Sequence, residues 1–288
     1  MIRRIRIPAA NVALSDERPS RGERTGPPLV LLHGFTGSKA SWAAVRAAFA
    51  STRRVLAIDL PGHGDTVVTG RAFDFSLTAT AGLVAETLVG LRVPRADVVG
   101  YSMGGRVALQ LAIDHGDRVA HLVLESASAG LATAAARARR RAADERLAES
   151  IERDGIARFV ARWEALPLFR SLASMPPLAH EAFRRQRLAC RPAGLAASLR
   201  GMGTGVQPWL GERAESVTVP VLLVTGALDR KFTRKAVDLL PRFARGCHEI
   251  IETAGHVPHI EQPQHFIAAV RTFLADGAGR RAASTRGE

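Results

Sequence analysis

The stretch "ADVVGYSMGGR", residues 96–106, runs from an apolar segment into a helical pattern through a serine flanked by glycines. Residues 100–104 fit the pattern G-x-S-x-G, in which a strand, a sharp turn and a helix expose a nucleophilic serine. The turn crowds the backbone two residues before and after the serine, and Gly100 and Gly104 meet that requirement because they lack side chains. The sequence therefore predicts a reactive Ser102 at a strand–helix junction.

Short apolar runs alternate with helical patterns along most of the chain, which indicates an α/β fold with a mostly parallel central sheet and flanking helices. The runs predict strands at 27–33, 54–59, 96–102, 118–126, 219–226 and 248–254. The other patterns predict helices at 40–50, 78–92, 103–115, 233–243 and 263–275, with Thr233 as the cap of the fourth. At the start, "IRRIRI" and "NVALSDE" predict an antiparallel hairpin at one edge of the sheet.

The alternation stops at 130–212, where the sequence is helical and charged and contains no strand-like run. Residues 131–200 hold 14 arginines, no lysine and 7 acidic residues. We therefore expect an inserted helical cap at 130–212, between two parts of the core at 1–129 and 213–276. The small, polar tail at 277–288 is expected to be disordered.

Composition argues against several classes of protein. The 288 residues carry a formal net charge of +13, but no aromatic residues are interleaved with the scattered arginines, so nucleic-acid binding is not expected. The start lacks the apolar run of a signal peptide, and no stretch reaches the roughly 20 apolar residues of a membrane helix. Cys190 and Cys247 are far apart and lack metal-ligand spacing. We expect reduced cysteines, a cytoplasmic location, and no metal, cofactor or obligate protein partner.

Two polar residues, Asp229 and His256, each follow a later predicted strand. Because the carboxyl ends of parallel strands share one edge of a sheet, we expect both side chains to meet Ser102 there. A histidine that accepts the serine proton, and a carboxylate that orients the histidine, together make the serine an effective base or nucleophile. Two alternatives stay open: Asp229 as a helix cap, and His256 as a loop residue with His259 as a competitor.

The loop "LHGFTGS" follows the third predicted strand. We expect the backbone N–H groups of Phe35 in this loop and of Met103 after the serine to stabilise negative charge on a substrate oxygen. His33 in the same loop, and Asp59 and His63 in "DLPGHG", are interpreted as residues that brace loops.

Arg106 lies four residues after Ser102, so the two residues share a helix face and Arg106 is able to border the same pocket. Hydrolysis of an ordinary ester does not require this arginine. The alternative is an arginine that forms a salt bridge with a neighbour under the cap.

The chain resembles the 2-succinyl-6-hydroxy-2,4-cyclohexadiene-1-carboxylate synthase family of menaquinone biosynthesis, whose members have an α/β-hydrolase fold. The resemblance extends from about residue 28 to residue 274 and rests on "LLHGFTGS", "DLPGHG", "GYSMGGR", "LESASAGL", "GLAASLRGMGTGVQP", "GALDRKF" and "AGHVPHIEQP". "GYSMGGR", "GTGVQP" and "LDRKF" are the more specific motifs. The resemblance implies a lyase that removes pyruvate from 2-succinyl-5-enolpyruvyl-6-hydroxy-3-cyclohexene-1-carboxylate, with the triad serine as the base.

The same resemblance implies a small-molecule substrate with several carboxylates, which the planar fork of arginine is suited to bind. The implied substrate-binding residues are Arg106, Arg140, Arg187, Tyr101, Trp163 and Gln207. Arg140 and Arg187 stand among other arginines, so a purely solvated position remains the alternative for both. The chain departs from the family in its long N-terminal lead and in "GHGDT", where the family often has serine.

Two other functions remain open from the sequence. A carboxylesterase or carbon–carbon bond hydrolase would use the same three residues, although a neutral ester does not need several positive charges and an unpaired buried charge is costly. A ligand-binding or signalling protein on the same scaffold is the second, and the intact triad argues against it.

Overall fold

The computed structural model describes residues 1–19, 26–69 and 73–276, and the predicted tail at 277–288 lies outside them. Within these residues the chain forms nine strands and nine α-helices. The strands are β1 (Ile2–Ile7), β2 (Ala10–Glu17), β3 (Leu29–Leu32), β4 (Val55–Ile58), β5 (Val67–Val68), β6 (Ala96–Tyr101), β7 (Val119–Glu125), β8 (Val221–Gly226) and β9 (Gly246–Ile251). The helices are α1 (Ala43–Phe49), α2 (Leu77–Gly90), α3 (Met103–Asp114), α4 (Ala134–Glu164), α5 (Pro177–Leu188), α6 (Pro192–Met202), α7 (Arg230–Leu239), α8 (Pro258–Glu261) and α9 (Pro263–Asp276).

The strands form one sheet in the order β1-β2-β4-β3-β6-β7-β8-β9, with β5 paired to β2. The pairs β1–β2 and β2–β4 are antiparallel, and every pair from β4 through β9 is parallel. The register pairs Leu32 with Gly100 and Tyr101 with Glu125, so the loops after β3 and β6 start beside each other. The predicted mostly parallel sheet and the N-terminal hairpin are confirmed.

Successive residues of the central strands face opposite sides of the sheet, because side chains alternate along a strand. In β3, Val30 and Leu32 join a hydrophobic cluster with α2 and α3, whereas Leu29 and Leu31 join a second cluster with α1 and α9. The sheet therefore lies between two helical layers. None of the described helices combines the length and the hydrophobicity that a membrane-spanning segment requires.

The predicted start of the helix after β8 is wrong. The structure begins α7 at Arg230, three residues before Thr233, and the helix is capped by Asp229, whose Oδ1 accepts a hydrogen bond from the backbone N–H of Phe232 at 3.2 Å. Asp229 prevails as the cap because its carboxylate satisfies a free N–H of the first turn directly.

Between β7 and β8 the described chain is helical and forms no strand. Helix α4 is interrupted at Gly155, whose φ of 77° and ψ of 173° are outside the helical region. Its two halves pack with α6 around a separate hydrophobic cluster that includes Ile151, Phe159 and Leu195. We propose residues 130–212 as the bounds of a helical cap over the core.

Candidate active site

Ser102 lies in the strained turn that the G-x-S-x-G motif predicts. Its φ is 50° and its ψ is −105°, and its backbone N–H donates to the carbonyl oxygen of Glu125 at 2.8 Å. A Cβ atom on Gly100 would lie 2.3 Å from the Gly104 carbonyl oxygen, and one on Gly104 would lie 2.1 Å from that of Leu32. Only glycine fits at these two positions, so the turn depends on both.

Ser102, His256 and Asp229 come together at the carboxyl edge of the sheet. His256 Nε2 lies 3.2 Å from Ser102 Oγ, and His256 Nδ1 lies 2.6 Å from Asp229 Oδ2. An ionised carboxylate only accepts hydrogen bonds, so Nδ1 carries the proton and Nε2 is left to accept the serine hydroxyl proton. Asp229 also caps α7 through its other oxygen. The two interpretations from the sequence, a helix cap and a carboxylate that orients the histidine, therefore apply to the same residue.

The competing histidine, His259, belongs to a different buried cluster. Its Nδ1 lies 2.8 Å from Glu125 Oε1, its backbone N–H donates to the same oxygen at 2.9 Å, and its ring stacks on Trp42. His259 therefore supports the strand behind the serine, and His256 is the histidine within reach of Ser102.

The three polar residues that were interpreted as braces of loops, His33, Asp59 and His63, have that role in the structure. His33 Nε2 accepts a hydrogen bond from the backbone N–H of Leu60 at 3.0 Å. Asp59 accepts from the backbone N–H and the Nζ of Lys39, at 2.6 Å and 2.7 Å. His63 is fully buried, and burial lowers its pKa to about 3, so its ring stays neutral.

Phe35 and Met103 both line the cavity above Ser102. In the part of the chain that the structure describes, neither backbone N–H donates a hydrogen bond to another residue. A Cβ atom on Gly34 would lie 2.5 Å from the Tyr101 ring, so the loop before Phe35 packs directly against the residue before the serine. The two N–H groups are thus unpaired donors on residues that line the same cavity as Ser102.

The cavity has a volume of about 830 Å³ and lies between the serine turn and the helices that follow β7. Its described lining contains one carboxylate, that of Asp229, and five cationic residues. The cationic residues are Arg106, Arg140, Arg170, Arg230 and Lys231. The cavity is therefore suited to a molecule with several negative charges.

Arg106 lines this cavity and, among the described residues, forms no salt bridge. Its guanidinium donates to the Met202 carbonyl oxygen at 2.5 Å and to Gln207 Oε1. Burial and the nearby charge of Arg140 lower the pKa of Arg106 to about 10, and the group remains charged near neutral pH. The alternative of a salt-bridged arginine under the cap is therefore wrong.

Arg140 also lines the cavity, and its Nε donates to Asp144 Oδ1 at 2.7 Å. Asp144 is only 4% exposed, and burial raises the pKa of its carboxyl, whereas the charge of Arg140 opposes that rise. The pairing uses the Nε of Arg140, so its two terminal nitrogens are available to a ligand.

Arg187, which the resemblance implies as a substrate-binding residue, is not among the residues that line the cavity. Its guanidinium stacks over the rings of Phe169 and Phe183 at 4.6 Å and 4.2 Å, and it lies 3.2 Å from Glu164. Stacking and ion pairing hold it behind the cavity wall, where it is 1% exposed.

Tyr101 and Trp163 line the cavity, as predicted, whereas Gln207 does not. Gln207 is buried outside the lining of the cavity. Its Oε1 accepts a hydrogen bond from Arg106, and its Nε2 donates to the Ala129 carbonyl oxygen at 3.2 Å. Gln207 therefore orients an arginine of the cavity. Burial raises the pKa of Tyr101 well above its ordinary value, so its hydroxyl stays protonated.

Three cationic residues of the cavity were not predicted individually: Arg170, Arg230 and Lys231. Arg230 and Lys231 directly follow Asp229, so their position after a strand end was an available signal. Arg170 has no such signal, because it is one of many arginines in the helical region. None of the three forms a salt bridge with another described residue.

Comparison with known proteins is consistent with this architecture. Residues 29–270 match the alpha/beta hydrolase family. A protein of Bacillus subtilis (strain 168), provisionally named 2-succinyl-6-hydroxy-2,4-cyclohexadiene-1-carboxylate synthase, is 40% identical over 262 residues, which are 91% of this chain and 94% of the relative. A protein of Serratia proteamaculans (strain 568) with that name is 34% identical over 259 residues, 89% of this chain and 96% of its own.

A solved structure shows the same relationship. The structure of MenH from S. aureus superposes with a TM-score of 0.87 at 31% sequence identity, over 92% of this chain and 98% of that chain. The predicted fold and the resemblance are both confirmed. The chain belongs to the α/β-hydrolase family and, within it, to the 2-succinyl-6-hydroxy-2,4-cyclohexadiene-1-carboxylate synthases.

Proposed function

We propose that the protein is a carbon–oxygen lyase that eliminates pyruvate from 2-succinyl-5-enolpyruvyl-6-hydroxy-3-cyclohexene-1-carboxylate. The product is the 2,4-diene for which its relatives are named. The observation that carries the proposal is a serine–histidine–aspartate chain that opens into a cavity with five cations and one carboxylate. The substrate carries three carboxylates, on its ring, succinyl and enolpyruvyl groups.

The reaction requires the loss of one proton and one carbon–oxygen bond. Removal of the proton at C2, next to the succinyl carbonyl, leaves an electron pair that forms the C2=C3 double bond. The C3=C4 pair moves to C4=C5, and the C5–O pair leaves with the enolpyruvyl oxygen. The departing enolate of pyruvate takes up one proton and its enol tautomerises to pyruvate, so atoms and charges balance.

Ser102 is proposed as the base that takes the C2 proton. As Oγ accepts that proton, its own hydroxyl proton moves to His256 Nε2, which is 3.2 Å away. Asp229 stabilises the imidazolium through Nδ1 and keeps the ring in the required tautomer. The imidazolium then returns a proton to the departing enolpyruvyl group, which restores the resting state.

Negative charge develops on the succinyl carbonyl oxygen when the C2 proton leaves. The N–H groups of Phe35 and Met103 are proposed to donate to that oxygen, since both line the cavity beside the serine. Here these donors would stabilise the negatively charged oxygen of an enolate, as they would stabilise that of the tetrahedral intermediate in an ester hydrolase.

Arg106 and Arg140 are proposed to bind substrate carboxylates, because both line the cavity and retain unused donors. Arg170, Arg230 and Lys231 add positive charge to the same cavity. An ester hydrolase with the same triad is the alternative, but a neutral ester would leave this charge unpaired on binding.

The test is to incubate the purified protein with the enolpyruvyl substrate and to measure pyruvate by its coupled reduction with NADH. We expect one pyruvate per substrate, well above the uncatalysed rate, and slow turnover of p-nitrophenyl esters. Rapid ester turnover without pyruvate release would support the hydrolase. Inactivity in both assays would support a binding protein.

A further inference from the structure

The carboxylate of Asp144 is buried between the two arginines proposed to bind substrate. Its Oδ1 accepts from Arg140 Nε at 2.7 Å, and the backbone N–H of Gly205 also stabilises the carboxylate. It is the one described carboxylate that pairs with either Arg106 or Arg140. Asp144 itself does not line the cavity.

The segment at 202–207 connects Asp144 to the second arginine. A Cβ atom on Gly203 would lie 2.6 Å from Asp144 Oδ2, and one on Gly205 would lie 2.2 Å from the backbone nitrogen of Arg141. The segment thus packs directly on α4 at the Arg140–Asp144 turn. The same segment supplies both acceptors of Arg106, the carbonyl of Met202 and the side chain of Gln207.

This arrangement answers two physical requirements of a site with two neighbouring arginines. Like charges repel one another in a buried setting, and an adjacent carboxylate reduces that repulsion. A long arginine side chain also loses conformational freedom when it binds a carboxylate, and a partner at Nε removes that cost in advance. Asp144 meets both requirements without occupying the terminal nitrogens of Arg140.

We propose that Asp144 is a positioning residue, which holds the guanidinium of Arg140 toward the cavity and balances the charge of Arg140 and Arg106 before substrate arrives. The inference rests on the proposed function in one respect, that the ligand of these arginines is a carboxylate. It requires no contact between Asp144 and substrate.

The test is a double-mutant cycle with Asp144→Asn and Arg140→Ala, read separately as kcat and KM for pyruvate release. Asp144→Asn keeps an oxygen that accepts from Arg140 Nε but removes the negative charge, so the weaker contact is expected to raise KM about 10-fold, with kcat changed by less than about 3-fold. In the Arg140→Ala background the same substitution is expected to raise KM no further, because its effect acts through that arginine. Equal effects in both backgrounds would overturn the inference.

Glu152→Gln is the matched control. Glu152 is on the same helix and pairs with Arg200 of α6 at 2.7 Å, but neither residue lines the cavity. Glu152→Gln removes an exposed ion pair between α4 and α6, whereas the Asp144–Arg140 pair lies within α4, so a change that only loosens the cap should leave KM within about 2-fold of wild type. A rise in KM equal to that of Asp144→Asn would assign both effects to the stability of the cap.

A binding measurement separates this inference from the proposed reaction. Calorimetry with 2-succinylbenzoate, a dicarboxylate with a succinyl group, is expected to show about 10-fold or weaker affinity for Asp144→Asn even if no pyruvate is released. Equal affinity for both proteins, or no binding to wild type, would overturn it. Should Asp144→Asn fail to fold, Arg140→Lys tests the same contact, because lysine keeps the charge but lacks Nε.

Discussion

Replacement of Arg106 tests whether the cationic cavity recognises carboxylates. The guanidinium lines the cavity, pairs with no described carboxylate, and is held by the Met202 carbonyl and by Gln207. Arg106→Ala removes the charge and the donors together. Arg106→Lys retains a charge, but a lysine cannot form the two parallel hydrogen bonds of a guanidinium.

The expected magnitudes follow from the burial of this site. A hydrogen bond between charged groups contributes about 1.5–3 kcal/mol, so Arg106→Ala should lower kcat/KM about 10- to 150-fold. The site lowers the pKa of Arg106 to about 10, first through burial and then through the charge of Arg140. The same burial and the same neighbouring charge would also lower the pKa of a lysine at this position, and lysine starts from a lower ordinary pKa than arginine.

The sign of the pH effect follows directly. A cation whose pKa is lowered is charged below that pKa and becomes neutral as the pH rises through it. The kcat/KM of Arg106→Lys, divided by that of wild type at each pH, should therefore fall toward the value of Arg106→Ala as the pH rises. Wild type should show this loss only at higher pH, because its arginine stays charged until about pH 10.

The assay is pyruvate release from pH 6.5 to 9.5, with the uncatalysed rate subtracted at each pH. Arg213→Ala is the control, since Arg213 pairs with Asp114 on the surface and does not line the cavity. A loss below about 3-fold for Arg106→Ala, or an Arg106→Lys profile parallel to wild type, would refute the reasoning. Arg106 would then only support Gln207 and Met202.

Three further substitutions separate chemistry from folding. Asp229→Asn should lower kcat more than about 100-fold, because His256 loses its orienting acceptor. The free energy of unfolding should change by less than about 1 kcal/mol, because asparagine also caps helices. A large loss of stability would show that the main role of Asp229 is to cap the helix. Gly104→Ala should cost about 3 kcal/mol or more in denaturant unfolding, because its Cβ would lie 2.1 Å from the Leu32 carbonyl oxygen. Gly155→Ala should cost less, about 1–3 kcal/mol, since no atom outside its chain neighbours and its own helix backbone lies within 4 Å and only its φ of 77° and ψ of 173° are unfavourable. Equal costs for the two glycines would contradict this ranking.

The sequence predicted Ser102, Asp229 and His256 because each follows a strand, and parallel strands bring their carboxyl ends to one edge. The long intervals between these residues do not matter once the strand register is set. The local sequence predicts the ends of helices less well than it predicts the triad residues. Thr233 and Asp229 are both capping residue types four positions apart, and only the folded chain shows which of them meets a free N–H.

The arginines of the helical region were the hardest to place. Many arginines there differ little in their local sequence, so neither helical periodicity nor the family motif decides which of them face a cavity. Arg187 is held behind the wall by two aromatic rings from other elements, while Arg170 lines the cavity without a distinctive motif. These placements depend on packing between distant segments, which a local pattern does not contain.

The most direct test of the central claim is pyruvate release by wild type and Ser102→Ala, measured side by side at saturating enolpyruvyl substrate. If Ser102 is the base of an elimination, wild type releases one pyruvate per substrate and the variant falls at least about 100-fold, toward the uncatalysed rate. Pyruvate release that survives the loss of the hydroxyl, or wild type that releases none, would contradict the account.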